Sequence, residues 1–180
     1  MKAKIFAVIL GILLLNSMNV SAQEYLPVKS FEFEMKVGTT YPIDDFVGSK
    51  RLGVQLGLEG RWNIKKSPFD IGAEAYMGNA IRHYLEEKMS LRYFSFSAFG
   101  DYNYHRGYKV SPFIGMGVGL ASCNNIKGSY GEEGTSLLFT PRVGMELFNH
   151  LRLTFDARIG RKGYNTVGLS IGYVFGGGLK

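Results

Sequence analysis

At 180 residues, 46% of them hydrophobic, the chain is long enough for one domain with a core, and its formal charge of +6 is too mild to argue for nucleic acid. A single cysteine, Cys123, excludes an intramolecular disulfide framework.

The chain opens on "MKAKIFAVILGILLLNSMNVSAQ", with two early lysines, an apolar run from Ile5 to Leu15 and small residues ahead of Gln23. This reads as a secretory leader over residues 1–22, followed by one domain over 23–180. No cysteine follows the apolar run, so a lipid anchor is not expected there. Losing Lys2 and Lys4 with the leader lowers the formal charge to about +4.

Beyond the leader no window carries helical periodicity, while eight segments alternate at period two: residues 30–38, 52–64, 69–78, 90–104, 110–121, 136–147, 151–160 and 165–176. In the first, Phe31, Phe33, Met35 and Val37 alternate with Glu32, Glu34 and Lys36. The second sets Leu52, Val54, Leu56, Leu58 and Trp62 against Gln55, Glu59 and Arg61; the third sets Phe69, Ile71, Ala73, Ala75 and Met77 against Asp70 and Glu74. Phe94, Phe96 and Ala98, then Ile114, Met116 and Val118, continue the pattern through the fourth and fifth segments. Pro141 inside the sixth predicts a bulge, because proline cannot donate to a ladder. The chain ends on "TVGLSIGYVFGGGLK", where Val167, Leu169, Ile171, Tyr173 and Phe175 point one way and glycine, serine or threonine the other.

One face is greasy on every segment, and the other mixes charges with glycine. Glycine serves little purpose on a convex wet surface, but inside a narrow barrel it makes room for long charged neighbours. The fold class expected is therefore all-β: an eight-stranded antiparallel up-and-down transmembrane β-barrel with its apolar face toward lipid. A soluble barrel with the apolar face inward is the alternative. The links run long, short, long, short, and short turns belong on the periplasmic side, so "KKSP", "HRGYK" and "FNH" face the periplasm. Trp62, Phe69, Tyr102, Tyr104, Tyr173 and Phe175 then gather at the periplasmic interface as an aromatic girdle.

An eight-stranded barrel leaves an interior only wide enough for side chains, so its charges must pair. A three-residue turn at Phe148, Asn149 and His150 would place Glu146 opposite Arg152 and Arg142 opposite Asp156, with Arg158 further outward. Glu34, Glu59, Arg61 and Glu74 complete the expected lumen network, with Arg61 bridging acids across the second hairpin. Such a network reads either as a plug of ion pairs or as a narrow polar pore, and mixed signs favour the plug.

No histidine or cysteine group has metal-ligand spacing, no cofactor is expected, and the chain is expected not to be an enzyme. A lipid-modifying enzyme remains an alternative, with His83, Glu86 and Glu87 of "RHYLEE" the nearest thing to a catalytic group. Lys50, Arg51, Arg92, Arg161 and Lys162 fall at or near outward strand ends, where lipid phosphates, including those of lipopolysaccharide, are possible contacts.

From "FEFEMKVG" through "SPFIGMGVGL" to "GLSIGYVFGG", the chain resembles the small eight-stranded outer-membrane barrels, OmpA-transmembrane-domain or OmpX-like, and more loosely the Bacteroidetes-type outer membrane protein beta-barrel domain family. The resemblance implies a monomer in the outer membrane of a Gram-negative bacterium, assembled by the barrel assembly machinery. It also implies an envelope-structural role or contact with an extracellular protein or surface ligand through outward loops. The longest of these, around "CNNIKGSYGEEGT", is the leading contact candidate. "GGGLK" after Phe175 departs from the aromatic last residue usual in that family.

Overall fold

The computed structural model describes residues 28–44, 48–84, 87–127 and 133–177; the expected leader, residues 1–22, lies outside the described residues. Its strands are β1 (Phe31–Pro42), β2 (Ser49–Arg51), β3 (Gly53–Asn63), β4 (Phe69–Tyr84), β5 (Glu87–Asn103), β6 (Val110–Lys127), β7 (Gly134–Leu147), β8 (Leu151–Arg158) and β9 (Thr166–Phe175). The short β2 prolongs β3 outward across Leu52, since Arg51 pairs with Ile81 and Gln55 with Gly78, both on β4. The elements thus form eight antiparallel walls.

The sheet closes on itself. β9 pairs with β1 from Phe33↔Phe175 to Pro42↔Thr166, and β4 pairs with β5 over their whole length. Closure removes every edge, which a bilayer requires because it offers no water to unpaired amides. Burial is inverted relative to a soluble barrel: Phe33, Leu56, Phe94, Met116 and Leu169 are exposed, whereas Glu34, Lys36, Glu59, Arg61 and Arg152 are buried. Only a lipid solvent makes that arrangement favourable, so the soluble alternative is set aside.

Six of the expected strand bounds need correction at the outward end. β1 runs on to Pro42, β4 to Tyr84 and β6 to Lys127, while β3 is led in by β2, β5 begins at Glu87 and β7 at Gly134. Most of the expected loop "NAIRHYLEEKMS" is paired strand, up to Tyr84↔Glu87. The walls are consequently uneven: β4, β5 and β6 have 16, 17 and 18 residues, whereas β8 and β9 have 8 and 10. About 9–11 residues cross a bilayer, so the tall side projects well beyond it.

The bulge expected at Pro141 is also corrected. Pro141 pairs with Met116 in regular register on β6, and the β7–β8 ladder resumes beyond it in unchanged register at Phe139↔Ile159. Proline interrupts the hydrogen bonds without inserting a residue. The register shift lies instead between Ser90 and Leu91, where β5 meets β6.

Candidate functional site

The lumen is built by the inward residues of all eight walls, and its periplasmic half is charged. Arg142 on β7 reaches across it. Its guanidinium donates to Glu59 of β3 at 2.7 and 3.2 Å and to Asp101 of β5 at 2.8 and 2.7 Å, a double bidentate clamp over the Phe99 ring, whose centroid lies 3.7 Å away. Arg152 also binds Asp101, and its guanidinium sits 3.6 Å from the Phe113 ring centroid. Lys36 joins Glu59 at 3.0 Å and also meets Glu74, which accepts from Arg158 at 2.7 Å. Toward the periplasm, Arg61 donates to Glu32 at 2.8 Å and Glu146 at 3.2 Å.

Glycines make this crowding possible. A β-carbon on Gly115 would overlap the Asp101 carboxylate, and one on Gly172 would overlap Glu34. Among the described residues, two of the interior voids are about 10 Å³ each. One is lined by Glu74, Ser97, Phe99, Gly117, Thr140 and Arg142, the other by Arg61, Asp70, Arg106 and their neighbours at the periplasmic mouth. Each has room for about one water.

All nine residues expected in the network face the lumen, but partners differ from those the register suggested. Arg142 does lie opposite Asp156 and Glu146 opposite Arg152. Asp156 nevertheless bonds Arg158 at 2.8 Å, and Glu146 lies nearer Arg61 at 3.2 Å than Arg152 at 3.8 Å. Glu34 lies 3.7 Å from both Arg61 and Arg152. Asp101, Lys36 and Glu32 belong to the network although they stood outside the expected set. All three occupy polar-face positions, and that alternation was the signal for them.

The outward half has different chemistry. Tyr76 and Tyr93 stack with centroids 5.6 Å apart, and their hydroxyls reach Gln55 at 2.5 Å and Thr166 at 2.8 Å. Above them Ala80, Leu91, Ala121, Cys123, Leu138 and Tyr164 form a buried apolar cluster inside the barrel. Tyr164 comes from the link between β8 and β9, which folds over the low side of the wall. Burial pushes its phenol up to about 12, and the hydroxyl donates to Asn125 Oδ1 at 3.1 Å. Asp44 fastens this cap, accepting from the Asn165 amide at 2.9 Å and its side chain at 2.6 Å, while Arg82 donates to the Gly163 carbonyl at 2.7 Å.

On the exterior, Phe69 packs on Tyr102 at 5.1 Å, Tyr102 on Tyr104 at 4.8 Å, Phe31 on Trp62 at 5.1 Å and Tyr173 on Phe175 at 4.9 Å, forming aromatic pairs around the periplasmic rim. At the other rim Arg51, Arg92 and Lys162 are exposed. Lys50 and Arg161 are half-buried, Lys50 within 3.5 Å of the Ile43 carbonyl and Arg161 against Gly134. His83 is half-buried on β4; Glu86 and the side chain of Glu87 lie outside the described residues. Among the described residues no group of three or more His, Cys, Asp or Glu is placed to hold a metal.

No family model matches the chain, and no curated protein matches it. Solved structures do match. Neisserial surface protein A is similar at TM-score 0.60 and 13% identity, over 82% of this chain and 97% of that one. The outer membrane enzyme PagL is similar at 0.54 and 17% identity, over 80% and 98%. OprG from Pseudomonas aeruginosa is similar at 0.53 and 12% identity, over 86% and 99%. The chain thus has the fold of the small eight-stranded outer-membrane barrels, and its apolar exterior sets it in the outer membrane of a Gram-negative bacterium. The expectation that it is not an enzyme is corrected by PagL: the same fold carries an enzyme, so the architecture gives no ground for excluding catalysis.

Proposed function

We propose that the protein is a sealed barrel that serves the envelope as a structural element and presents its outward hairpins to surface partners. The observation that carries the seal is Arg142, held between Glu59 and Asp101 across the lumen beside a void of only about 10 Å³. Buried charges so paired are costly to separate, which favours a filled interior over a water path. In this reading the barrel is a monomer placed in the membrane by the barrel assembly machinery.

Surface contact falls to the tall side, where β4, β5 and β6 project beyond the apolar belt. Lipid phosphates of the outer leaflet, including those of lipopolysaccharide, are met by Arg92. It is exposed one outward-facing step above Phe94, between Asn79 and Asn124 in the register, so its charge sits at the edge of the belt. Arg51 and Lys162 extend the same exposed rim.

Conductance tests the seal. The folded barrel, reconstituted in planar bilayers, is expected to stay electrically silent. Discrete steps whose size changes in Arg142→Ala would make the lumen a pore and overturn the reading. A shift in gel migration on boiling verifies that the silent protein is inserted.

A further inference from the structure

Among the described residues, the exposed charge on the periplasmic rim is of one sign. Lys29, Lys65, Lys66 and Lys109 are exposed there, together with His105 and His150. The carboxylates at this end, Glu32, Asp70 and Glu146, are turned into the lumen and bound to Arg61 or Arg106. Among the described residues no carboxylate pairs with any of the four lysines.

Hydrogen bonds tie these separate turns into one continuous edge. Asn63 donates to the Lys29 carbonyl at 2.8 Å, Arg106 of the second turn to the Ser67 carbonyl of the first at 2.7 Å, and the Phe148 amide of the third to the Lys109 carbonyl at 2.7 Å. Directly outward lie the aromatic pairs of Trp62, Phe69 and Tyr102. Aromatic belts of this kind sit at headgroup level, which puts the ammonium groups where phosphodiesters lie.

We infer that this rim binds anionic phospholipid headgroups of the periplasmic leaflet, with Lys65, Lys66 and Lys109 as the contacting cations. Two features select lipid over a periplasmic protein. The aromatic girdle fixes the height of the lysines, and they are spread along the membrane edge on adjoining turns. Lysine suits the role because its ammonium needs no fixed geometry to meet a mobile phosphate. Charge here does not oppose the sealed-lumen reading and does not depend on it.

Trp62 is the only tryptophan, is exposed, and lies three residues from Lys65, so it reports on the lipid beside this rim. The barrel is reconstituted in vesicles containing either brominated phosphatidylglycerol or brominated phosphatidylcholine, and quenching of Trp62 gives the relative association of the two. A preference for the anionic lipid of about fivefold per lysine engaged is expected at low salt. It should fall toward one in about 1 M salt, where charge is screened within a few ångströms. Lys65→Gln with Lys66→Asn and Lys109→Gln should abolish it. Asparagine is chosen at position 66 because the backbone there has φ of 55° and asparagine tolerates the left-handed region.

Equal quenching by the two lipids in the unaltered protein would overturn the inference, as would a preference that survives in the triple variant. Polyglutamate added to the detergent-solubilised protein supplies the remaining arm. Lysine-dependent binding of that polymer without any lipid preference would assign the rim to an acidic macromolecule instead. Boiled and unboiled gel migration shows that the variant has folded.

Discussion

The two halves of the lumen are filled by opposite chemistry inside one wall. Toward the periplasm, long cations from β7 and β8 reach carboxylates of β1, β3, β4 and β5, so each strand is tied to strands that are not its neighbours. Toward the outside, small and apolar residues close around Tyr164, which a link supplies rather than a strand. The first half depends on every partner being present, because removing one strands the others in a dry interior. The second half depends on shape, because no member of the apolar cluster holds a charge. The same closed sheet therefore contains one region that is sensitive to charge and another that is sensitive to volume.

Arg142→Ala should break the charged half with the largest effect, about 3–5 kcal/mol lost from unfolding in denaturant, since Glu59 and Asp101 lose a shared partner. Arg142→Met sharpens the point. It restores volume without charge and should still cost most of that amount. Leu91→Ala, in the apolar half, should cost about 2–5 kcal/mol through a cavity, whereas Leu91→Met should cost less than about 1.5 kcal/mol because it refills the space. Equal rescue by methionine at both sites would erase the distinction between the halves.

How much of this was legible in the sequence follows the same division. The eight strands and their inward faces could be read because, within the belt, one side meets lipid and the other a polar lumen, so alternation is strict. Above the belt the outward side no longer meets lipid and the inward side turns partly apolar, as at Ala80 and Leu91, so the alternation of polarity fades, and Asn79 through Tyr84 read as a loop although they pair fully with β5. The β7–β8 register was legible from its short turn, with Leu147 opposite Leu151. Side-chain partners were not, because arginine is long enough to cross a narrow lumen, and Arg142 leaves its strand neighbour Asp156 for Glu59 and Asp101. The apolar mouth was missed for a different reason. Leu91, Tyr93 and Leu138 sit on inward faces at the height where the polar rule lapses.

The smallest expected effect decides which half seals the barrel. Asn165 accepts from the Gly160 amide at 2.7 Å and donates to Asp44 at 2.6 Å, while its own backbone also bonds Asp44 and accepts from Ile43 at 3.0 Å. Asn165→Ala removes only the side-chain bonds, a loss of about 1–2 kcal/mol on this partly exposed cap. Local opening of the cap becomes easier, so amide exchange at Gly160 and Tyr164 should speed up, and the unfolding midpoint should fall by less than in Arg142→Ala or Leu91→Ala. Conductance is the sharper readout. The Glu59, Arg142 and Asp101 layer lies deeper and is untouched, so the loosened barrel should remain silent. Current through Asn165→Ala with Arg142 still in place would move the seal from the ion pairs to Tyr164 and its apolar cluster, and would make the β8–β9 link a gate.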